Sequence, residues 1–483
     1  MSDDILNVRH NKISQLREKG IRPYGCRFEK TDTLQNLKSD LESGKIAEDA
    51  VAKAAGRIMS LREHGKSLFF DIKDHTAKMQ LYVKKDSVGD DIWSLKELLD
   101  IGDIIGAEGK FFKTRTGEIT LNVSGLTLLS KSLRPLPEKW HGLKDIETRY
   151  RQRYLDLIAN DESKDIFQKR SLIIKGIRRF FDERGYIEVE TPMLQPIAGG
   201  AAGRPFKTHH NVYGKDLYLR IAPELYLKRL LVGGLERVYE INKSFRNEGV
   251  SPRHNPEFTM LEAYTAYADY NDLMKLTEEL VSGLVRDITG RPEIEYKGKV
   301  ISFDPPWERV SFAEMMKELY SVTAEDDTDT WARKLKEKGI KLESGKLSKT
   351  KLINIVADLI EPKSDKGKPV FVTDYFTELC PLAKTKKDSP SISERFELYI
   401  GGMEIANAYS ELNDPAEQEK RFQAQLDFDK ETSDQIDMDY INALEYAMPP
   451  AAGLGIGIDR LVMILTGQES IRDVILFPQL KPE

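Results

Sequence analysis

The chain has 483 residues, a length for roughly three domains at about 150 residues each. It is 40% hydrophobic and 31% charged, an ordinary globular balance that excludes collagenous, disulfide-rich and wholly disordered classes. No uncharged apolar run approaches the ~18 residues that span a bilayer. The formal net charge of −6 argues mildly against a bulk nucleic-acid binder.

That total hides an asymmetry: residues 1–150 hold 26 Lys and Arg against 23 Asp and Glu, leaving 47 against 56 of the chain's 73 and 79 for the rest. RNA binding needs only a local basic surface, so charge alone decides nothing. The opening MSDDILNVRHNK carries two acids and no apolar core, unlike a signal peptide. Cys26 and Cys380 are too far apart for a disulfide framework or a CxxC metal site, and a reducing cytoplasm is the expected home.

In chain order, residues 3–19 read as an amphipathic helix, with Asp3 and Asp4 at its positive end and Gly20 as its cap. Strand-like segments follow near 53–62, 66–73, 77–84, 103–113 and 118–128, with a helix expected at 91–99. Five strands with a helix between the third and fourth match the order of an OB-fold; an SH3-like barrel is the plain rival. The expected N-terminal domain is thus 1–130. Residues 131–150, with two prolines and mixed charge, read as a linker to a second domain over 151–483. There a long helix is expected from Glu162 to Arg184, with Ile166, Ile173, Ile177 and Phe181 at helical spacing and Gly185 ending it. Strands with antiparallel cues follow at 235–246, 257–267, 395–400 and 403–411. Residues 308–360 read as a mostly helical peripheral insertion.

Three constellations carry chemistry. GYIEVETPML (185–194) is a helix–turn–strand, by itself unremarkable. In RVYEINKSFRNEGVSPRHNPEFTMLEAYTAYA (237–268), period-two alternation puts Glu240, Asn242, Ser244 and Arg246 on one face, then Phe258, Met260, Glu262 and Tyr264 on one face of the next strand. Arg246 suits a phosphate, because guanidinium matches phosphate oxygens in a fork, and Phe258 suits a planar base. The plain alternative is a solvated face with surface ion pairs. In AAGLGIGIDRLVMIL (451–465), three glycines at spacing two bring a strand close to something, and Arg460 opens a helix whose dipole favours an anion.

In order, these stretches resemble motifs 1, 2 and 3 of the class II aminoacyl-tRNA synthetases. With APELYLKRL (222–230), GGMEIANAYSELND (401–414) and GLGIGIDR (453–460), the resemblance is specifically to the class II lysyl-tRNA synthetases and runs over nearly the whole chain. It implies an α+β protein: an N-terminal OB-fold barrel that reads the anticodon, and an antiparallel sheet flanked by helices that does the chemistry. It further implies a homodimer, with L-lysine, ATP and lysine tRNA as substrates and Mg²⁺ as cofactor.

Residue by residue, the resemblance implies that Arg246 meets the α-phosphate and the lysine carboxylate. Phe258 stacks on adenine, with Arg460 on its other side near the γ-phosphate. Glu248 lies at the adenine edge, while Arg253, His254 and Asn255 complete the ATP site. Gly200 and Glu224 meet the α-ammonium; Glu262, Tyr264 and Glu411 meet the ε-ammonium; Asn407 and Tyr409 complete the lysine site. Glu397 and Glu404 hold Mg²⁺, and Arg62, Phe69, Gln80 and Glu118 read the anticodon. A carboxylate-rich pocket without a facing cation separates a lysine from an aspartate site. The sequence departs from the family's usual residues at Cys380, Gly203 and Tyr409. A non-catalytic paralogue is the rival of another class, and the intact Arg246, Glu397, Glu404 and Arg460 argue against it.

One further expectation comes from parity. A two-residue turn at Gly401-Gly402 places Ile400 opposite Met403, Tyr399 opposite Glu404 and Glu397 opposite Ala406. Asn407, Tyr409 and Glu411 then have the wrong parity to join Glu404. A β-bulge between Glu404 and Asn407 is therefore predicted.

Overall fold

The computed structural model describes residues 2–47, 49–137, 143–342, 347–360, 367–428 and 435–482. The chain divides into two units, Met1–Lys144 and Asp145–Glu483. Residues 138–142 of the expected linker and 343–346 of the expected insertion lie outside the described residues. No helix among the described residues is long and apolar enough to cross a membrane.

In the first unit the strands Val51–His64, Ser67–Lys73, Lys78–Lys84, Ile104–Lys113 and Ile119–Ser130 close into a barrel. Alternate residues face inward, so Ala52, Ala54, Ile58, Phe70, Ile72, Leu81, Ile105 and Leu121 fill it. The arrangement is the OB-fold and not the SH3-like rival. The helix between the third and fourth strands runs over Lys85–Leu95, earlier than the expected 91–99, and ends in a short 3-10 turn over Lys96–Leu98. The sequence reading missed the helix Leu34–Glu42, whose cap Thr33 accepts a hydrogen bond from the Asn36 amide.

In the second unit the long helix spans Asp161–Asp182 and buries Ile166, Ile173, Ile177 and Phe181, as their spacing predicts. Gly185 follows in the left-handed region at φ 72°. An eight-stranded sheet carries the unit, in the order Glu308–Ser311, Val370–Thr373, Arg395–Ile400, Met403–Ser410, Ala451–Gly457, Glu257–Ala266, Arg237–Phe245 and Ile187–Glu188. The pairs at both edges are parallel and the rest antiparallel.

One face of this sheet is apolar: Leu398, Ala406, Ile456 and Leu261 lie in register across four strands and pack in the main core. The expected helical insertion needs a correction. Its first residues, Glu308–Ser311, form the sheet's edge strand, because a short parallel pairing with Val370–Thr373 satisfies their backbone. The helices Phe312–Tyr320, Thr328–Glu337 and Lys349–Ile360 then build a satellite core with Trp331, Tyr375 and Phe376.

Candidate active site

Directly opposed residues of antiparallel strands project to the same face of a sheet. On the face away from the core, one row runs Glu397–Asn407–Gly455–Glu262–Glu240 and the next Arg395–Tyr409–Gly453–Tyr264–Val238. The alternate glycines of Ala451–Gly457 therefore sit between the two strands that carry the polar side chains. Without side chains there, the sheet floors a cavity of about 1480 Å³. A Cβ on Gly453 would lie 2.2 Å from Glu411 Oε1 and 2.4 Å from the Tyr264 ring.

The predicted bulge is present. Tyr399 faces Glu404 but Leu398 faces Ala406, so Ile405 is the extra residue. As a result Glu397 faces Asn407 and not Ala406, a one-residue correction to the expected register. The single parity flip brings Glu404, Asn407 and Tyr409 to the cavity together.

At one end of the cavity stand the residues assigned to ATP. The Arg246 guanidinium lies 5.2 Å from the centre of the Phe258 ring, and its buried Nε has no hydrogen-bond partner. Burial pulls its pKa below the usual arginine value, with Glu248 and Glu404 opposing the effect. An anion that accepts from Nε removes that defect. Arg460 Nη1 donates to the Glu404 carbonyl and carboxylate, both at 3.0 Å. Its Nη2 lies 3.0 Å from His254 Nε2, while His254 Nδ1 lies 2.9 Å from Ser251 Oγ. A guanidinium only donates, so Nε2 here is the acceptor, and the imidazole is neutral with its proton on Nδ1. Burial and Arg460 push the His254 pKa down, consistent with that form. Asn255 lines the cavity, but its amide is engaged: Nδ2 donates to the Glu257 carbonyl at 2.6 Å and Oδ1 accepts from the Gln479 amide. It shapes the loop. Glu248 and Arg253 also line this end.

At the other end lies a cluster of acids. Glu262 is buried and accepts from the Tyr264 hydroxyl at 3.1 Å. Burial, then the charge of Glu224, pushes its pKa up to about 8. Tyr409 OH donates to Glu224 Oε1 at 2.6 Å, and Gly200 packs on Glu224 from the left-handed region, φ 87°. Asn407 Oδ1 accepts from Arg395 Nε at 2.9 Å.

One finding corrects the sequence reading. Glu411 is fully buried on the cavity side of the floor, its Oε1 over Gly453 and close to the Tyr264 ring. The acids are not free of a cation. Lys228, fully buried, donates to Glu224 Oε1 at 2.6 Å and ion-pairs with Glu411. One helical turn within Glu224–Val232 sets it beneath Glu224.

Of the two residues assigned to metal, Glu404 lines the cavity and Glu397 is set back. Glu397 Oε2 accepts from the Tyr375 and Tyr399 hydroxyls at 2.7 and 2.6 Å, and Oε1 from Arg395 Nη2. Burial and the neighbouring Glu404 raise its pKa against the pull of Arg395. Two mutually repelling carboxylates are a donor set that fits a hard divalent cation, since Mg²⁺ is held by one or two carboxylates plus phosphates. Among the described residues no group of three or more His, Cys, Asp or Glu is placed to hold a metal.

In the barrel, Phe69 lies outside the core that Phe70 enters. Its ring is 5.1 Å from Tyr82, which is 5.8 Å from Phe112, a half-buried aromatic platform. Arg62 pairs directly with Phe69 across the strands and is exposed, as is Glu118. Gln80 is mostly buried and accepts from Thr120 Oγ1 at 3.0 Å.

Residues 145–481 match the family of class II tRNA synthetases (D, K and N), and residues 52–129 match the OB-fold nucleic acid binding domain. The chain belongs to the class II tRNA synthetases. It is 53% identical to the lysine–tRNA ligase of Pelotomaculum thermopropionicum, over 99% of this chain and 95% of the relative. It is 52% identical to that of Carboxydothermus hydrogenoformans, over 99% and 98%. It is 50% identical to that of Thermotoga maritima, over 100% and 97%.

Sequence reasoning passed over Lys228, Arg395, Tyr375 and Tyr399. The signals were there for two of them: Lys228 follows Glu224 by four residues, and Arg395 shares the parity of Glu397.

Proposed function

We propose that this class II synthetase is a lysine–tRNA ligase, and that the residues of the cavity divide the work as follows. The observation that carries the reading is the buried acid cluster of Glu224, Glu262 and Glu411 at one end of a cavity whose other end presents Arg246 and Arg460. Lysine brings two ammonium groups and one carboxylate, and the polarity of the cavity matches that order.

In the first step a lysine carboxylate oxygen attacks the α-phosphorus of ATP; the bond to the bridging oxygen breaks and pyrophosphate leaves. In the second, a ribose hydroxyl of the tRNA's terminal adenosine, the 3′-OH in this class, attacks the lysyl carbonyl. AMP leaves and lysyl-tRNA is formed. No protein nucleophile is required; the chain positions the groups and stabilises charge.

Arg246 Nε donates to the α-phosphate as charge develops there, and the Asn407 amide nitrogen, left open by Arg395, orients the lysine carboxylate. Phe258 carries the adenine, with Glu248 at its edge. Arg460 holds the distal phosphates beside Arg253 and His254, which must leave Arg460 or gain a proton to donate. Glu224 and the Gly200 carbonyl hold the α-ammonium; Glu262 and Tyr264 hold the ε-ammonium. Glu404 and Glu397 hold Mg²⁺, which when bound offsets the phosphate charge.

Phe69 stacks on an anticodon base, with Gln80, Glu118 and Arg62 at its edges. Exposed Ile187, Met193 and Leu194, beside the motif 1 stretch, support a homodimer through that surface. Cys26 and Cys380, both free, fit a reducing cytoplasm. The test is ATP–pyrophosphate exchange with each of the twenty amino acids. Lysine alone is expected to drive it, and exchange driven by a different amino acid overturns the reading.

A further inference from the structure

The mechanism above leaves unused a buried charge that touches the acid cluster. Lys228 has no exposed surface, yet its ammonium lies 2.6 Å from Glu224 Oε1 and pairs with Glu411 Oε2. Fold stability is a weak reason for such a group, since well-packed apolar residues in place of a buried ion pair are often neutral or stabilising. Its geometry suggests another reason. Glu224 Oε1 is occupied by Lys228 and by the Tyr409 hydroxyl, and Glu224 lines the cavity, which leaves Oε2 as the oxygen for a ligand. Glu411 has its Oε2 on Lys228 and an Oε1 with no hydrogen-bond partner, lying over Gly453 on the cavity side of the floor.

The charges close to a simple count. With all three acids ionised, as two bound ammonium groups require, Glu224, Glu262 and Glu411 against Lys228 leave two negative charges. Glu240, next to Glu262 in its row, adds none, because Arg220 Nη1 sits 2.7 Å from it.

We propose that Lys228 is a positioning residue that sets the net charge of the amino-acid pocket at minus two, matching the two ammonium groups of lysine, and aims the free oxygen of Glu224 at one of them. The inference rests on the lysine reading above. Without Lys228, three acids crowd one dry site and the surplus charge is met by a proton or a cation in place of substrate. With Lys228 but without the Glu411 charge, the pocket is one charge short of its ligand. Removing both charges restores the count, although Lys228 and Glu411 are then each lost.

That last statement separates charge balance from simple structural support. Lys228→Met and Glu411→Gln are each expected to raise the lysine KM at least 10-fold while the ATP KM stays within about 2-fold. The double variant K228M/E411Q is expected to recover lysine KM to within about 5-fold of the unmodified protein. A folded double variant no better than the worse single overturns the proposal, as does an ATP KM that rises in step with that of lysine. If Lys228→Met does not fold, Glu411→Gln and the double still decide: the double must use lysine better than Glu411→Gln alone. If neither Lys228 variant folds, an unchanged lysine KM in Glu411→Gln overturns it. Lysine-driven exchange by the unmodified chain is measured alongside; its absence removes the lysine reading itself, which is a different failure.

Discussion

Glu262 gives the sharpest prediction, because its burial makes lysine binding a proton-linked event. With its pKa pushed up to about 8 by burial and by Glu224, roughly nine-tenths of the unliganded protein carries a neutral Glu262 at pH 7. An ammonium bound against it requires the carboxylate, so one proton must leave. The loss is worth about 1.4 kcal/mol at pH 7 and about 2.7 kcal/mol at pH 6. Lysine affinity is therefore expected to rise ~50-fold from pH 6 to pH 8 and to flatten above that. Calorimetric titration with lysine, repeated in buffers of different ionisation enthalpy, reads both the slope and the release of about one proton at pH 7. The sign for stability is the reverse of an ordinary ion-paired acid. The folded pKa lies above the unfolded value, so the contribution is fully present below pH 4.5 and is lost as pH rises toward 8. Added lysine should cancel that loss. Glu262→Gln should flatten the pH slope and cost about two to three decades of lysine affinity at pH 8, the scale of a broken buried charge pair. A lysine affinity that is constant from pH 6 to 8, with no buffer-dependent heat, would refute the reasoning.

Three other substitutions probe separate parts of the chain. Arg246→Ala removes the guanidinium beside Phe258, and pyrophosphate exchange is expected to fall by about 10²–10³ with the fold intact by circular dichroism; near-normal exchange contradicts the α-phosphate role. Gly453→Ala puts a methyl 2.2 Å from Glu411 Oε1 and 2.4 Å from the Tyr264 ring. Overpacking of about 1–3 kcal/mol is expected, seen as a lower melting temperature and a raised lysine KM; an unchanged pair of values shows that the floor yields. Phe69→Ala leaves exchange untouched but weakens tRNA charging by about 1–3 kcal/mol if the ring carries an anticodon base, and equal charging by both proteins removes that role.

Local alternation made much of this legible. The polar face of residues 237–246 and the row Phe258, Met260, Glu262 and Tyr264 follow from a period of two, and the structure keeps both in register. The bulge was legible for a deeper reason. Glu404 and Asn407 have to share one cavity, an unbroken strand forbids it, and an extra residue is the smallest repair. Which residue bulges was not legible, because the choice of Ile405 depends on how the neighbouring strand Ala451–Gly457 takes up Ala406 opposite Ile456. The three glycines announced a close approach but not its partners, since Tyr264 and Glu411 arrive from distant parts of the chain. The same holds for the clasp on Glu397, where Tyr375 comes from outside its strand. Glu308–Ser311 was read into the insertion because four residues show too little pattern to separate an edge strand from the helices after it.

The two ends of the cavity share a physical condition that links folding to function. At the acid end, burial holds Glu262, and Glu411 with it, well above the ordinary carboxylate range. At the arginine end, burial presses on Arg246, whose Nε is left without a partner. Each end is an incomplete electrostatic arrangement that the rest of the fold holds in place: the apolar rows on the opposite face supply the rigidity, and the glycine strand brings the two polar strands close. On the proposed reading a lysine and an ATP complete both ends at once, with the lysine carboxylate where the positive end begins and its ammonium groups among the acids. The same burial that destabilises the empty site therefore strengthens each contact once it is filled, by excluding the water that screens it. A substrate with one ammonium leaves a buried acid unpaired, and the penalty for an unpaired buried group exceeds the gain from an extra contact. On that reading discrimination among amino acids comes from the cost the empty pocket already carries, which only a ligand with two positive charges removes in full.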